Sequence, residues 1–326
     1  MKYLYILVDP ESGFYTEQTY VSMLSLRHVS PNAQISLIVD DETDMNNKSS
    51  FFPQLKQIVN EYKKIHLDKN ITPVARSRFL KTTMRQNIEG DFLYIDSDTI
   101  WANPIQEADF SFDIMGVLDQ HVIFSKKKSK ETFIKLFTET NCFPETEYFI
   151  NGGVLFSRDS DFSKSFFEQW HEKWIQTSKS GIFVDQPSLN YVISKNINNK
   201  VFLLPGEYNC QISNSWDFFF KAKIIHYFSS CSLEDIVFGS PYILQQRSFW
   251  EQFKDNLTES YLERIITSPL TLFEEGIMIK SAAERHFEET NIYGFAKDVY
   301  TRKMQGKKSR FDLIEKILTH FIKKPK

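Results

Sequence analysis

The chain has 326 residues, enough for a large buried core or for one domain with an extension. Hydrophobic residues make up 41% and charged residues 25%, the balance of a folded globular protein, and no window reaches the roughly 18 apolar residues of a membrane-spanning helix. The net charge of −3 hides an asymmetry: Thr301 to Lys326 holds nine Lys/Arg against two Asp/Glu, so the remainder is acidic and argues against nucleic-acid binding.

The elements alternate from the start. Tyr3–Val8 reads as a strand, Thr16–His28 as a helix with Tyr20, Met23, Leu24 and the nearby Leu26 on its apolar side, and Ile35–Val39 as a second strand closed by Asp40-Asp41. Phe51–Tyr62 predicts a helix, Lys64–Leu67 a short strand, Ala75–Ile88 a helix after Pro73, and Phe92–Ile95 a buried strand. Such a β-α-β-α-β-α-β order predicts a parallel sheet covered by helices, an α/β fold. Further strands are expected at Ile114–Leu118, Val154–Ser157, Val201–Leu204 and Ile224–His226. Phe162, Phe166, Trp170 and Trp174 recur every fourth residue, which predicts a helix whose stripe lies in the core. From about Pro241 the pattern turns helical.

Three widely spaced cysteines, Cys142, Cys210 and Cys231, make no zinc or disulfide framework and favour a reducing compartment. The apolar run at Lys2–Val8 is too short for a signal peptide, so a cytoplasmic location is expected.

The chemistry centres on Asp91-Phe92-Leu93-Tyr94-Ile95-Asp96-Ser97-Asp98-Thr99. Asp96 and Asp98 follow a buried strand two residues apart and can converge just past its end, where ligands of α/β sheets bind. Two carboxylates held that close call for a cation, and oxygen ligands suit Mg²⁺ or Mn²⁺. His226, at the end of Ile224-Ile225, would complete a mixed nitrogen and oxygen set suited to Mn²⁺. Arg78, Lys81 and Arg85 share a helical face one element upstream and could reach a diphosphate. Asn151-Gly152-Gly153, before a strand, reads as a tight turn or as a place where backbone approaches something closely. Asp185 reads as the N-cap of a helix that opens Gln186-Pro187-Ser188.

Asp9, Arg76-Ser77-Arg78-Phe79-Leu80-Lys81, the Asp96-Ser97-Asp98 segment, Phe149-Ile150-Asn151-Gly152-Gly153-Val154-Leu155, Asp185-Gln186 with Asn190, and Ile224-Ile225-His226-Tyr227 occur in an ordered set over about Met1 to Ser230. That set resembles the GT-A fold glycosyltransferases of family 8, the bacterial galactosyltransferase and glucosyltransferase group. The resemblance implies a Rossmann-like nucleotide-diphospho-sugar transferase fold over residues 1–235, with a helical C-terminal region, 236–326, that associates with acceptor or membrane. It implies a retaining, Mn²⁺- or Mg²⁺-dependent transferase moving a hexose, glucose or galactose, from a UDP-sugar to a glycan or lipid-linked acceptor in polysaccharide biosynthesis. It implies metal ligands Asp96, Asp98 and His226; donor contacts at Asp9, Phe14, Tyr15, Arg78, Lys81, Ser97, Asn151 and Gly152; catalytic positions at Asp185 and Gln186; and Asp119 toward the acceptor. The chain departs from the family after the histidine, where Tyr227-Phe228-Ser229-Ser230-Cys231-Ser232 replaces the usual Gly and Lys-Pro-Trp, and at Pro187, which stands where a second acid is usual.

Asp96-Ser97-Asp98-Thr99 also matches the opening of haloacid-dehalogenase-type phosphatases, although several β-α units precede it here. A nucleotide-sugar-binding protein without turnover is a third reading. At the C-terminal end Phe311, Ile314, Ile317, Leu318, Phe321 and Ile322 line one side of a basic amphipathic helix, which either packs on the domain or rests on the inner face of the cytoplasmic membrane.

Overall fold

We describe the protein from a computed structural model covering residues 1–68, 70–127, 129–196, 200–212, 217–228, 242–253, 257–273 and 290–304. Apolar runs build its main sheet. In chain order the elements are β1 (Lys2–Leu7), α1 (Phe14–Val29), β2 (Gln34–Asp40), α2 (Asp41–Asn46), α3 (Phe52–Ile58), β3 (Glu61–Ile65), α4 (Pro73–Thr82), α5 (Met84–Asn87), β4 (Phe92–Ile95) and β5 (Thr99–Trp101). They continue with β6 (Ile114–Leu118), α6 (Lys130–Thr140), β7 (Ile150–Ser157), α7 (Asp161–Ser178), α8 (Gln186–Asn196), β8 (Val201–Leu203), β9 (Cys210–Gln211) and β10 (Ile224–His226).

Seven strands form one sheet in the order β3-β2-β1-β4-β7-β6-β8, and β5, β10 and β9 form a second, smaller sheet. The first four strands of the large sheet are parallel, as the alternating pattern predicts; β7 runs antiparallel to both neighbours. Both faces of the large sheet are covered, which explains why β1 and β4 read as continuous apolar runs. Tyr3, Tyr5 and Leu7 of β1, with Leu93 and Ile95 of β4, enter one core; Leu4, Ile6, Phe92 and Tyr94 point the other way into a second. The second core takes in Phe166 and Trp170 of α7, and Trp174 is buried as well, so the aromatic stripe is core as predicted.

Three boundaries differ from the sequence reading. β3 starts at Glu61, because the α3 helix ends at Ile58 and Tyr62 pairs with Leu37 as strand. The single helix expected over Ala75–Ile88 is broken after Thr82, where Thr83 adopts φ −105° and ψ 7°. β7 begins at Ile150, so Asn151-Gly152-Gly153 lies inside the strand and is neither a turn nor left-handed.

Contacts divide the chain into two units. The first comprises Met1–Phe228 and Trp250–Leu272. Within it, Trp250 stacks on Tyr227 with centroids 6.1 Å apart and meets Phe14 at 6.2 Å, and Phe253 meets Phe51 at 5.6 Å. The second comprises Ser229–Phe249 and Phe273–Lys326; its described part includes a Tyr242–Phe273 bridge and the helix Asn291–Met304. The basic segment after Gly306 lies outside the described residues. Among the described residues no helix is long and apolar enough to cross a membrane.

Asn190 ties α8 to β7. Its amide accepts from the Ile150 N–H at 2.6 Å and donates to the Ile150 carbonyl at 2.9 Å, as a neighbouring strand would. Asn190 is fully buried, so Asn190→Leu leaves both backbone groups unsatisfied. The expected loss is about 2–3 kcal/mol of unfolding free energy, measurable by urea denaturation; a loss below ~0.5 kcal/mol would show that the clamp is dispensable.

Candidate active site

The site forms where the chain passes from one sheet to the other. Ile95, the last residue of β4, pairs with Val154, and the Asp96 N–H donates to the Gly153 carbonyl at 2.7 Å. The backbone then turns at Ser97 and Asp98 and enters β5, whose Thr99 pairs with His226. The Tyr227 N–H donates to the Asp98 carbonyl at 3.0 Å. Asp96 is thus anchored to β7 and Asp98 to β10. The two carboxylates converge because of this turn between sheets, and strand alternation is not the cause.

Asp96, Asp98 and His226 each present one ligand atom, all within 4.8 Å of one another. His226 Nε2 stands 3.2 Å from Asp98 Oδ1. Gly153 makes room for the group: a Cβ there would lie 2.3 Å from His226 Cε1 and 2.9 Å from Asp96 Oδ2. The donor set and the missing side chain together suit a divalent cation with oxygen and nitrogen ligands. Burial pushes the Asp98 carboxyl up, but the His226 imidazole beside it more than reverses this and holds it below the usual carboxylate range. Burial likewise lowers the affinity of His226 for a proton, and the Asp98 and Asp96 carboxylates more than restore it.

Two cations face these acids. Lys81, on α4, donates to Asp96 Oδ1 at 3.2 Å and lies 3.5 Å from Asp185 Oδ2, with its ammonium 5.0 Å from the Tyr94 ring centre. Arg78, one turn earlier, reaches Asp185 Oδ1 at 3.0 Å. That carboxylate, chiefly, raises the pKa of the Arg78 guanidinium, with smaller effects from Asp96, Tyr94 and Tyr15. The Tyr94 hydroxyl donates to Asp96. Burial, then Asp96, lifts the phenol well above its ordinary range.

Asp185 does not cap α8 through its side chain: its carboxylate faces Arg78 and Lys81, while its backbone carbonyl accepts from Leu189 N–H at 3.0 Å. Gln186 opens that helix, and its Nε2 is buried with no hydrogen-bond partner among the described residues. Gly152 is buried, with Lys81 Nζ 3.6 Å from where its Cβ would sit. Ser97 accepts from the Thr19 hydroxyl at 2.8 Å. Tyr15 is exposed beside the edge-on ring of Phe14.

Other expected residues are engaged elsewhere. The Asp9 carboxylate accepts from Ser12 Oγ, the Gly13 and Thr16 N–H groups and Thr16 Oγ1, which binds the loop to the start of α1. Asp119 pairs with buried Lys127 and accepts from Asn151 Nδ2 at 2.7 Å. Arg85, expected on the face of Arg78 and Lys81, does not join them. The break at Thr83 turns it to the far end of β4, where it donates to the Ile88 and Gly90 carbonyls and lies 3.9 Å from Asp159.

Sequence reading missed Asn209. It lies in a 3₁₀ turn before β9, and its Oδ1, which can only accept, stands 3.0 Å from His226 Nδ1. No motif marks it. Gln120 and His121 were missed too; both adopt φ of 58°, a left-handed pair after β6 of the kind that collects near functional sites.

Burial pushes the His121 imidazole down to about 4, only partly opposed by Asp119. The unfolded chain takes up this proton below pH 6.5 and the folded one only near pH 4, so His121 makes stability fall as pH drops through that window. Urea denaturation at pH 7.5 and pH 5 should show a smaller acid loss for His121→Gln than for the parent. Equal losses would contradict it.

Residues 60–246 match the sequence model of a family described as nucleotide-diphospho-sugar transferase. The chain belongs to that family. The match spans β3 to the far side of β10 and so includes Arg78, Lys81, Asp96, Asp98, Asp185 and His226. As a member of this family it has the nucleotide-diphospho-sugar transferase fold, and the phosphatase reading of Asp96-Ser97-Asp98 falls away. No curated protein matches the chain. Mouse xyloside xylosyltransferase 1, in its apo form, is among the solved structures that are similar, at 15% identity over 69% of this chain and 96% of that one, with a TM-score of 0.44.

Proposed function

We propose that this nucleotide-diphospho-sugar transferase is a retaining hexosyltransferase of the family 8 group. It would move glucose or galactose from a UDP-sugar to a glycan or lipid-linked acceptor in surface polysaccharide synthesis. The observation that carries the proposal is the convergence of Asp96, Asp98 and His226 beside Arg78 and Lys81. A nucleoside diphosphate needs that combination of anionic cation ligands and basic side chains. Mn²⁺ or Mg²⁺ held by the three ligands would neutralise charge on the departing diphosphate.

The remaining steps belong to the chain. Arg78 and Lys81 are placed to answer the negative charge of the diphosphate. Tyr15 and Phe14 offer aromatic surface for the base, and Ser97 and Gly152 border the ribose and sugar. Gln186 Nε2, buried without a hydrogen-bond partner among the described residues, suits sugar hydroxyls. Asp185, ion-paired to two cations, is a poor nucleophile, and Gln186 is neutral. This favours front-face transfer: the bond from the anomeric carbon to the diphosphate oxygen breaks, the acceptor oxygen bonds on the same face, and its proton passes to the departing diphosphate. Residues 1–235 would hold this catalysis, and residues 236–326 would face the acceptor or the inner face of the cytoplasmic membrane.

Incubation with UDP-glucose, UDP-galactose and a panel of glycan acceptors, read by proton NMR at the new anomeric centre, tests the proposal. Retention of the α configuration is expected. A β-linked product would overturn front-face transfer.

A further inference from the structure

A chain of buried polar side chains runs from the ion pair Lys127–Asp119 to His226. Lys127, Asp119, Asn151, Asn209 and His226 are all buried. Asp119, paired with Lys127, is a carboxylate and can only accept, so Asn151 must turn its Nδ2 toward it, 2.7 Å away. That fixes Asn151 Oδ1 as an acceptor, and the Gly153 N–H independently donates to the same oxygen at 2.9 Å. Asn209 then donates its Nδ2 to Asn151 Oδ1 at 3.0 Å and must present its own Oδ1 to His226 Nδ1, also at 3.0 Å. An amide oxygen cannot donate, so His226 carries its proton on Nδ1.

We infer that this relay is a positioning device: Asn209, held by Asn151, Asp119 and Lys127, sets the His226 tautomer so that Nε2 offers a lone pair toward Asp98, 3.2 Å away. Two acceptors facing each other at that distance require a positive charge between them, a proton in the metal-free protein or a divalent cation in its place, and the relay thereby keeps Nε2 available to the metal. The inference rests on the metal reading of Asp96, Asp98 and His226, and it gives Asn151 and Asp119 a role in orienting a ligand.

The tautomer itself can be read. Protein labelled with ¹⁵N-histidine, with Mg²⁺ and UDP at pH 8, should show His226 protonated at Nδ1, opposite to the form preferred by a free histidine side chain. Asn209→Leu removes the acceptor and should shift His226 toward Nε2–H, weakening Mn²⁺ binding about 10- to 100-fold. Asn209→Asp keeps an acceptor and should recover most of that loss. An Nε2–H tautomer in the parent protein overturns the inference without any variant, so a failure of Asn209→Leu to fold would not protect it. Unchanged Mn²⁺ affinity in folded Asn209→Leu, where Asp98→Ala loses the metal, overturns the relay and leaves the metal reading standing. Absence of Mn²⁺ binding in the parent protein, with UDP present, overturns the metal reading and the inference with it.

Discussion

Replacing Gly153 by alanine is expected to abolish metal-dependent nucleotide binding while the protein still folds. The new Cβ would lie 2.3 Å from His226 Cε1 and 2.9 Å from both His226 Nδ1 and Asp96 Oδ2. His226 is buried and pinned by Asn209, and Asp96 is pinned by Tyr94, Lys81 and its own N–H bond to Gly153, so neither can move aside cheaply. Overpacking of this kind costs about 1–3 kcal/mol of stability, a loss that a domain of this size tolerates. The ligands, however, must be displaced by a large part of an ångström. Affinity for UDP in the presence of Mn²⁺ should fall by about 100-fold or more. Gly294→Ala is the control: it lies in the helix Asn291–Met304, and among the described residues nothing comes within 4 Å of where its Cβ would sit. Equal affinity in the two variants would show that the space beside Gly153 is not what keeps the ligands in place.

Removing the charge of Lys81 should be the most destabilising change in the site. The ammonium is buried and answers two carboxylates, Asp96 and Asp185. Lys81→Met keeps the aliphatic length and leaves Arg78 to serve Asp185, but Asp96 loses its neighbouring cation. Breaking a buried pair on one side costs about 3–5 kcal/mol; because Asp96 is a quarter exposed, the lower end, about 3 kcal/mol, is expected. Chemical denaturation at pH 7.5 measures it. The double change Lys81→Met/Asp96→Asn should recover part of the loss, since it removes the carboxylate left without its cation. A variant as stable as its parent would mean that Lys81 is surplus to the carboxylates around it.

Much of this was legible in the residues. The parallel half of the sheet follows from the alternation of short apolar runs with helical stretches, because a strand covered on both faces has no polar side. The convergence of Asp96, Asp98 and His226 could be anticipated from their places at strand ends and from the family resemblance. What was hidden depends on long-range contacts. Arg85 shares a helical spacing with Arg78 and Lys81, but a single non-helical residue, Thr83, sends it to the other end of β4. Asn151-Gly152-Gly153 has the composition of a turn, but it lies within β7 between Ile150, which pairs with Leu118 of β6, and Val154, which pairs with Ile95 of β4. Asn209 carries no local signal: its importance comes from two amides, a carboxylate and an imidazole whose contacts join residues up to 58 apart in the chain.

The central claim is that Asp96, Asp98 and His226 bind a cation that in turn holds a nucleoside diphosphate. Calorimetric titration of UDP into the purified protein, with Mn²⁺ and without it, and into Asp96→Ala/Asp98→Ala, addresses it directly. Binding that requires Mn²⁺ and disappears in the double variant is the predicted result. UDP binding of equal strength with and without metal, or undiminished in the double variant, would contradict it.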